Sequence, residues 1–178
     1  SFRCKLRDRS GFWLDRAEFR IRDGIICSIM EGMDRAKSSW PRDAVFRSHE
    51  CDAFHRPRLH IVAALVHGFF VEVFCSHADL RKTGSSTCEQ LASIFTRLKN
   101  MGVDLASYTV HVQLDNTASS NKNNTVLWFC AALVGARVVK SIRLGFLRSG
   151  HSHEDIDQFF GELASWIIKN MRVAADLS

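Results

Sequence analysis

The chain has 178 residues, of which 46% are hydrophobic and 24% are charged, so a single globular domain with an ordinary core accounts for it. The formal net charge of +5 is compatible with a phosphate-bearing partner but does not establish one. No apolar stretch reaches the roughly 18 residues of a membrane span, so we expect no membrane partner. The six cysteines form no C-x-x-C pair, which predicts reduced thiols and a nuclear or otherwise intracellular location.

The first 30 residues contain a charged and aromatic segment followed by a short apolar one. Residues 1–22 mix charged and aromatic side chains at loosely helical spacing, so we expect a helical segment that ends a preceding region. We expect the domain itself to occupy residues 23–178. Residues 25–30 form a short apolar run bounded by glycines, which predicts a central strand buried on both faces. Glu31 and Asp34 follow that strand directly.

The middle of the chain begins with a polar stretch that contains both prolines. We expect residues 35–58 to form a long irregular connection. Apolar runs at 59–66 and 69–74, separated by His67-Gly68, then predict an antiparallel hairpin. A capping-box pattern over residues 86–89 indicates the start of a helix that ends near Gly102.

The last third of the chain alternates between strand and helix patterns. Residues 108–114 alternate apolar and polar side chains, which predicts a strand with Asp115 at its carboxyl end. Apolar residues recur at helical spacing over 126–134, and a second strand is expected over 138–147. Residues 150–158 then begin a helix whose first turn is rich in acids, as the helix dipole favours.

This order of elements predicts an α/β fold: a mixed five-stranded sheet of antiparallel hairpin strands and parallel strands, flanked by helices. The strand over residues 25–30 and the strand over residues 108–114 can lie side by side and parallel in the middle of the sheet. That arrangement brings Glu31 or Asp34 next to Asp115 at one edge of the sheet. The last helix then adds Asp155, with Asp157 as the alternative acid.

Four local strings carry a family resemblance, namely Glu31–Lys37, His111–Asn116, Asn121–Asn123 and Gly150–Gln158. They resemble an uncharacterised transposase-like domain of transposon-derived eukaryotic proteins. The order of elements resembles the ribonuclease-H-like fold of DDE transposases and retroviral integrases, over about residues 25–165. Among the chain's departures from the family wording, Glu31 stands where the family has Asp, and Ser120 stands where it usually has Glu.

The resemblance implies a ribonuclease-H-like catalytic core that cleaves DNA phosphodiesters and transfers strands with two Mg²⁺ or Mn²⁺ ions. It implies that Asp115, Asp155 and Glu31 are catalytic metal ligands, with Asp34 and Asp157 as further candidate catalytic acids. Asp155 follows Asp115 by 40 positions, an interval similar to that between the second and third acids of many DDE enzymes. Hard oxygen ligands of this kind suit either ion.

Other polar residues are candidates for supporting roles. His151, His153 and Asn116 are candidate auxiliary groups beside the acids. Four basic residues are candidates for contacts with a nucleic-acid backbone: Lys37, Arg42, Lys122 and Arg148. Each of these residues also has an ordinary structural interpretation, as a turn residue, a helix-start acid or a solvated charge.

Two other functions remain open from the sequence. Glu31 in place of Asp is compatible with a catalytically decayed or domesticated transposase that acts as a nucleic-acid or protein binding module. A ribonuclease that uses the same acids is a weaker alternative. The oligomeric state also remains open, with a homo-oligomer as one alternative.

Overall fold

The computed structural model describes residues 5–7, 13–15, 24–33, 59–77, 79–146 and 154–170. Seven strands and three α-helices lie within these ranges. The strands are β1 (Lys5–Arg7), β2 (Trp13–Asp15), β3 (Ile25–Gly32), β4 (Leu59–Val66), β5 (Phe70–His77), β6 (Thr109–Leu114) and β7 (Ser141–Phe146). The helices are α1 (Gly84–Asn100), α2 (Asn124–Gly135) and α3 (Glu154–Asn170). None of the helices in these ranges is long and apolar enough to cross a membrane.

Five strands form one mixed sheet in the order β5-β4-β3-β6-β7. Strands β3, β4 and β5 pair antiparallel, whereas β3 with β6 and β6 with β7 pair parallel. The parallel pairs are those joined by helical crossovers, as parallel pairing requires. The expected α/β architecture, a mixed five-stranded sheet of antiparallel and parallel strands with flanking helices, is therefore confirmed.

The sheet is buried on both faces, because apolar side chains of the central strands point in both directions. Ile26 and Met30 of β3 belong to a core that includes Leu91 of α1 and Val126 of α2. Ile29, between them in the pleat, belongs to a second core that includes Ile156 and Phe160 of α3. Helices α1 and α2 thus cover one face and α3 covers the other.

The predicted starts of two elements need correction. Helix α1 begins earlier than the expected capping box, because Thr83 is its N-cap and exchanges hydrogen bonds with Ser86, at 3.0 and 3.5 Å. In the β4–β5 hairpin, Val66 pairs with Phe70, so the turn has three residues rather than two. Its middle residue is Gly68, with φ of 81°, a conformation that glycine adopts without steric cost.

The end of α2 explains why β7 starts later than expected. Val138 N donates to Leu133 O, and Arg137 N donates to Val134 O, at 3.0 Å each. This is the Schellman pattern, with Arg137 in the left-handed region at φ of 57°. Because this pattern occupies the residues after Gly135, the strand predicted over 138–147 begins only at Ser141.

The helix expected over residues 1–22 is wrong where the structure describes that segment. Strands β1 and β2 pair antiparallel instead, with Leu6 opposite Leu14 and Arg7 opposite Trp13. Backbone pairing between two short segments outweighed a weak helical spacing, and Gly11 between them is a residue type that favours turns over helices.

Candidate active site

The carboxyl ends of β3 and β6 meet at one edge of the sheet. Met30 of β3 pairs with Leu114 of β6 in parallel register, so Glu31 and Asp115 come next on neighbouring strands. Such strands lie about 4.8 Å apart. Alternation along each strand assigns both acids to the face opposite Met30 and Leu114, which is the face that α3 covers. The predicted proximity of Glu31 to Asp115 is therefore present.

The electrostatics of Glu31 show which charges surround it. Burial, followed by the negative charges of Asp157 and then Asp115, raises the pKa of Glu31 from its usual 4.5 to about 7. Three acids from β3, the end of β6 and the first turns of α3 thus share one electrostatic environment. A carboxylate in this environment favours binding of a proton or of a cation.

Asp115 is held in place by the loop that follows it. Its Oδ1 accepts hydrogen bonds from the backbone N–H of Thr117 at 2.8 Å and from Nδ2 of Asn121 at 2.7 Å. The Thr117 bond is the local turn that short polar residues favour after a strand. The Asn121 bond comes from six residues away and depends on the course of the whole loop.

Helix α3 brings its acids to this edge because its apolar face is anchored on the sheet. Ile156 and Phe160 are buried against Ile29 and Met33, and Asp157, next to Ile156, is exposed at the start of the helix. Asp157 was the second choice among the α3 acids, and its charge reaches Glu31. Asp155, the first choice, lies in α3, but its side chain is outside the described part of the structure.

The donor atoms at this edge suit a hard divalent cation. The acids present only carboxylate oxygens. Burial and then the neighbouring negative charges raise the pKa of Glu31, and a bound cation would offset both by stabilising the ionised carboxylate. Among the described residues, no three Asp, Glu, His or Cys side chains converge closely enough to form a complete metal-binding group. The described acids therefore fit part of a ligand set.

Two lysines lie near the carboxyl ends of β3 and β7. The ammonium of Lys82 lies 2.9 Å from where a Cβ on Gly32 would be, so the missing side chain at Gly32 admits it. The ammonium of Lys122 lies 5.9 Å from the ring centre of Phe146, which pairs with Leu114 at the end of β7. Lys122 was predicted from the sequence. Lys82 was not, and the only signal for it was a basic residue shortly before the α1 start.

Several other predicted site residues cannot be placed. Those outside the described residues are Asp34, Lys37, Arg42, Arg148, His151 and His153. Asn116 is described and is exposed directly after Asp115. Sequence reasoning also missed Asn121, which lies in one of the four strings of the family resemblance but had no role assigned to it. The sequence signal that could have found Asn121 is its position six residues after Asp115.

Comparison with known families adds one firm result. A family model matches residues 50–176, well over half of the chain. The chain belongs to this family, described as a domain of unknown function (DUF7869). Asp115, Asp155 and Asp157 lie within the matched part of this DUF7869 protein, and Glu31 precedes it. No curated protein matches the sequence significantly.

One solved structure similar to this DUF7869 protein is the crystal structure of the mariner Mos1 paired end complex with Mg. The match covers 85% of this chain and 51% of that chain, with 9% sequence identity and a TM-score of 0.42. The chain thus spans about half the length of the solved protein.

Proposed function

We propose that this domain is the catalytic core of a DDE-type transposase or integrase, which cleaves and joins DNA phosphodiesters with Mg²⁺ or Mn²⁺. The observation that carries the proposal is the meeting of Glu31, Asp115 and the charge of Asp157 at one edge of a ribonuclease-H-like sheet. Phosphodiester chemistry with two metal ions needs such carboxylates on rigid elements.

Each acid has a role under this proposal. Glu31 and Asp115 would hold the metal ions from the central strands, and Asp155 or Asp157 would complete the set from α3. Asp34 remains the alternative to Glu31 as the first acid. When bound, the ions supply activation of the attacking hydroxyl and stabilisation of the leaving oxygen. The chain's own part is to hold the carboxylates in place and to exclude competing ligands from Glu31.

The flanking basic residues support DNA as the substrate. Lys82 lies beside Gly32 at the end of β3, and Lys122 lies beside Phe146 at the end of β7. Both add positive charge at the end of the sheet that carries the acids, where a phosphate backbone would approach. Lys37, Arg42 and Arg148, predicted from the sequence, would extend this path. His151, His153 and Asn116 stay predictions as auxiliary groups.

A second candidate function is supported by a specific observation. Glu31 is longer than the expected Asp, its pKa is raised to about 7, and the described residues contain no complete metal-binding group. These features also fit a domesticated transposase that binds nucleic acid or protein without turnover. The two functions differ in metal binding, which can be measured without knowing the DNA target.

The first experiment is calorimetric titration of Mn²⁺ into the wild-type protein and the Asp115→Ala and Asp155→Ala variants at pH 8. Asp104→Ala is the matched control, because Asp104 stabilises a turn at the opposite edge through Ala106 N and Ser107 Oγ. The proposal expects micromolar to millimolar binding that the Asp115 and Asp155 variants lose and Asp104→Ala retains. Equal binding by all four proteins would contradict it.

A second experiment addresses the reaction. Metal-dependent nicking of supercoiled DNA is expected for the wild-type protein and not for Asp115→Ala. Cleavage of RNA or of an RNA–DNA hybrid in preference to DNA would favour the ribonuclease alternative. Binding of DNA without cleavage at any metal concentration would favour the domesticated module.

A further inference from the structure

A chain of side-chain hydrogen bonds connects the interior of the domain to Asp115. The Asn121 amide donates from Nδ2 to Asp115 Oδ1 at 2.7 Å, and Asn121 Oδ1 lies 3.0 Å from the hydroxyl of Thr87. Thr87 is on α1, 28 positions before Asp115, and is buried. Hydrogen bonds therefore link Asp115 to α1, which covers the other face of the sheet.

We infer that Asn121 and Thr87 are positioning residues that hold the Asp115 carboxylate in the orientation needed for metal binding, an inference that rests on the proposed function. Neither residue is assigned to contact metal or substrate. They act through Asp115, in the manner of the outer hydrogen-bond partners that orient metal ligands.

The hydrogen bonds select one oxygen of Asp115. Oδ1 accepts from both Thr117 N and Asn121 Nδ2, whereas Oδ2 accepts no hydrogen bond within the described part of the chain. Two donors on one oxygen stop the carboxylate from rotating. Oδ2 is therefore the oxygen available to a cation beside Glu31.

Thr87 sets the orientation of the Asn121 amide. Its hydroxyl lies 2.9 Å from Ser120 O and 3.0 Å from Asn121 Oδ1, so it can donate to either acceptor. A hydroxyl next to the amide oxygen favours the rotamer that turns the amide nitrogen toward Asp115. Thr87 and Ser120 are both buried where α1 meets the loop, and this burial restricts their movement.

The test compares Mn²⁺ affinity across variants of the chain. Asn121→Ala is expected to weaken binding by about 10- to 100-fold, the usual effect of removing an outer partner of a metal ligand. Thr87→Val, which keeps the shape but removes the hydroxyl, should weaken binding less, and Thr87→Ser should restore wild-type affinity.

Ser93→Ala is the matched control on the same helix. It removes a side-chain hydrogen bond of 2.6 Å to Glu72, away from the acids. A general effect of destabilising α1 would lower Mn²⁺ affinity in Ser93→Ala and Thr87→Val alike. The positioning role predicts a loss in Thr87→Val only, and rescue by Thr87→Ser.

A measurement without metal separates this inference from the proposed function. In a double-mutant cycle of urea unfolding, Asn121→Ala and Asp115→Ala should be coupled, with a departure from additivity of about tenfold in the unfolding equilibrium constant. Additive effects would overturn the hydrogen-bond chain.

Failure of the positioning role and failure of the proposed function would give different experimental results. Wild-type Mn²⁺ affinity in Asn121→Ala, together with loss in Asp115→Ala, overturns the positioning role and leaves the proposed function standing. Absence of Mn²⁺ binding by the wild-type protein counts against the proposed function, and the unfolding cycle then decides whether Asn121 and Asp115 still act as a unit.

Discussion

Glu31 and Asp115 follow the last paired residues of two neighbouring parallel strands, Met30 and Leu114, and therefore crowd two carboxylates at one edge of the sheet. Burial, the charge of Asp157 and the charge of Asp115 together disfavour the ionised form of Glu31 and raise its pKa to about 7. Proteins keep such unfavourable pairs mainly where they serve a function. The acid pair is thus destabilising when Glu31 is ionised, and it is also the best candidate for chemistry in the described part of the chain.

Stability is expected to fall as pH rises through the pKa of Glu31. Between the ordinary value of 4.5 and about 7, the folded protein keeps a proton that the unfolded chain has released. The stability that this group contributes is complete below pH 4.5 and is lost as pH rises through about 7. Urea unfolding from pH 4 to pH 8 measures it, and a stability independent of pH over this range would contradict the assignment.

Metal affinity should follow the opposite trend. Because a ligand carboxylate must lose its proton, Mn²⁺ binding is expected to strengthen as pH rises from 6 to 8 and to release protons. Calorimetry in buffers of different ionisation enthalpy counts the protons released. Binding that does not change over this range would show that Glu31 is not a ligand.

Glu31→Gln is expected to stabilise the metal-free protein at pH 8 while abolishing Mn²⁺ binding. The substitution removes a charge that burial and Asp157 disfavour, but leaves the shape unchanged. Near pH 4 the two proteins should be equally stable, because Glu31 is then protonated in both states. Glu72→Gln is the control: Glu72 accepts from Ser93 Oγ and lies 3.6 Å from Arg97, so this variant should lose about 1 kcal/mol.

Glu31→Asp should raise the cleavage rate if position 31 provides the first metal ligand. One methylene fewer moves the carboxylate by about 1 Å, which is enough to change a pre-organised site considerably. The measurement is the rate of metal-dependent DNA nicking by the two proteins. An unchanged rate would move the first ligand to Asp34.

Gly84→Ala should destabilise the protein by about 1–3 kcal/mol, because a Cβ there would lie 2.5 Å from Oδ1 of Asn123. That oxygen accepts the cap hydrogen bond from Val126 N at 3.1 Å, so relief of the clash disturbs the start of α2. Gly161→Ala is the control, since a Cβ at that position in α3 meets nothing within 4 Å. It should stabilise the helix by about 0.5–1 kcal/mol, and equal effects in thermal unfolding would contradict the packing argument.

Lys122→Ala should weaken DNA binding and lower the slope of log affinity against log salt by about one. The reason is its place beside Phe146 at the edge that carries the acids. Lys99→Ala is the matched control, because Lys99 is exposed in the last turn of α1, at the far end of that helix. Fluorescence anisotropy at several salt concentrations measures both, and equal slopes for the two variants would remove Lys122 from the DNA path.

Much of the fold could be predicted from local patterns. The apolar run before Glu31, the alternation before Asp115 and the helical stripes of α1 and α2 each follow from residues that are neighbours in sequence. Predictions failed where the sequence offers two possible helix caps and where its helical spacing was weak. Thr83 competes with Ser86 as a cap, and residues 5–7 and 13–15 form strands only because they pair with each other.

The site was predictable only in outline. Acids at the ends of predicted parallel strands suggested that Glu31 and Asp115 would meet, because parallel strands present their carboxyl ends at one edge. Which acid of α3 approaches Glu31 depends on how the helix is rotated on the sheet. The buried Ile156 anchors the helix, and the charge of the neighbouring Asp157 reaches Glu31. Asp155, which periodicity favours, stays a prediction because its side chain lies outside the described residues.

The sequence by itself determined the five strands of the mixed sheet and the placement of acids at their ends, because both depend on residues close together along the chain. Only the tertiary structure decided the raised pKa of Glu31 and the connection from Thr87 through Asn121 to Asp115. Those features join residues far apart in sequence. They exist only after strand pairing and helix packing have excluded water and brought the groups within hydrogen-bond distance.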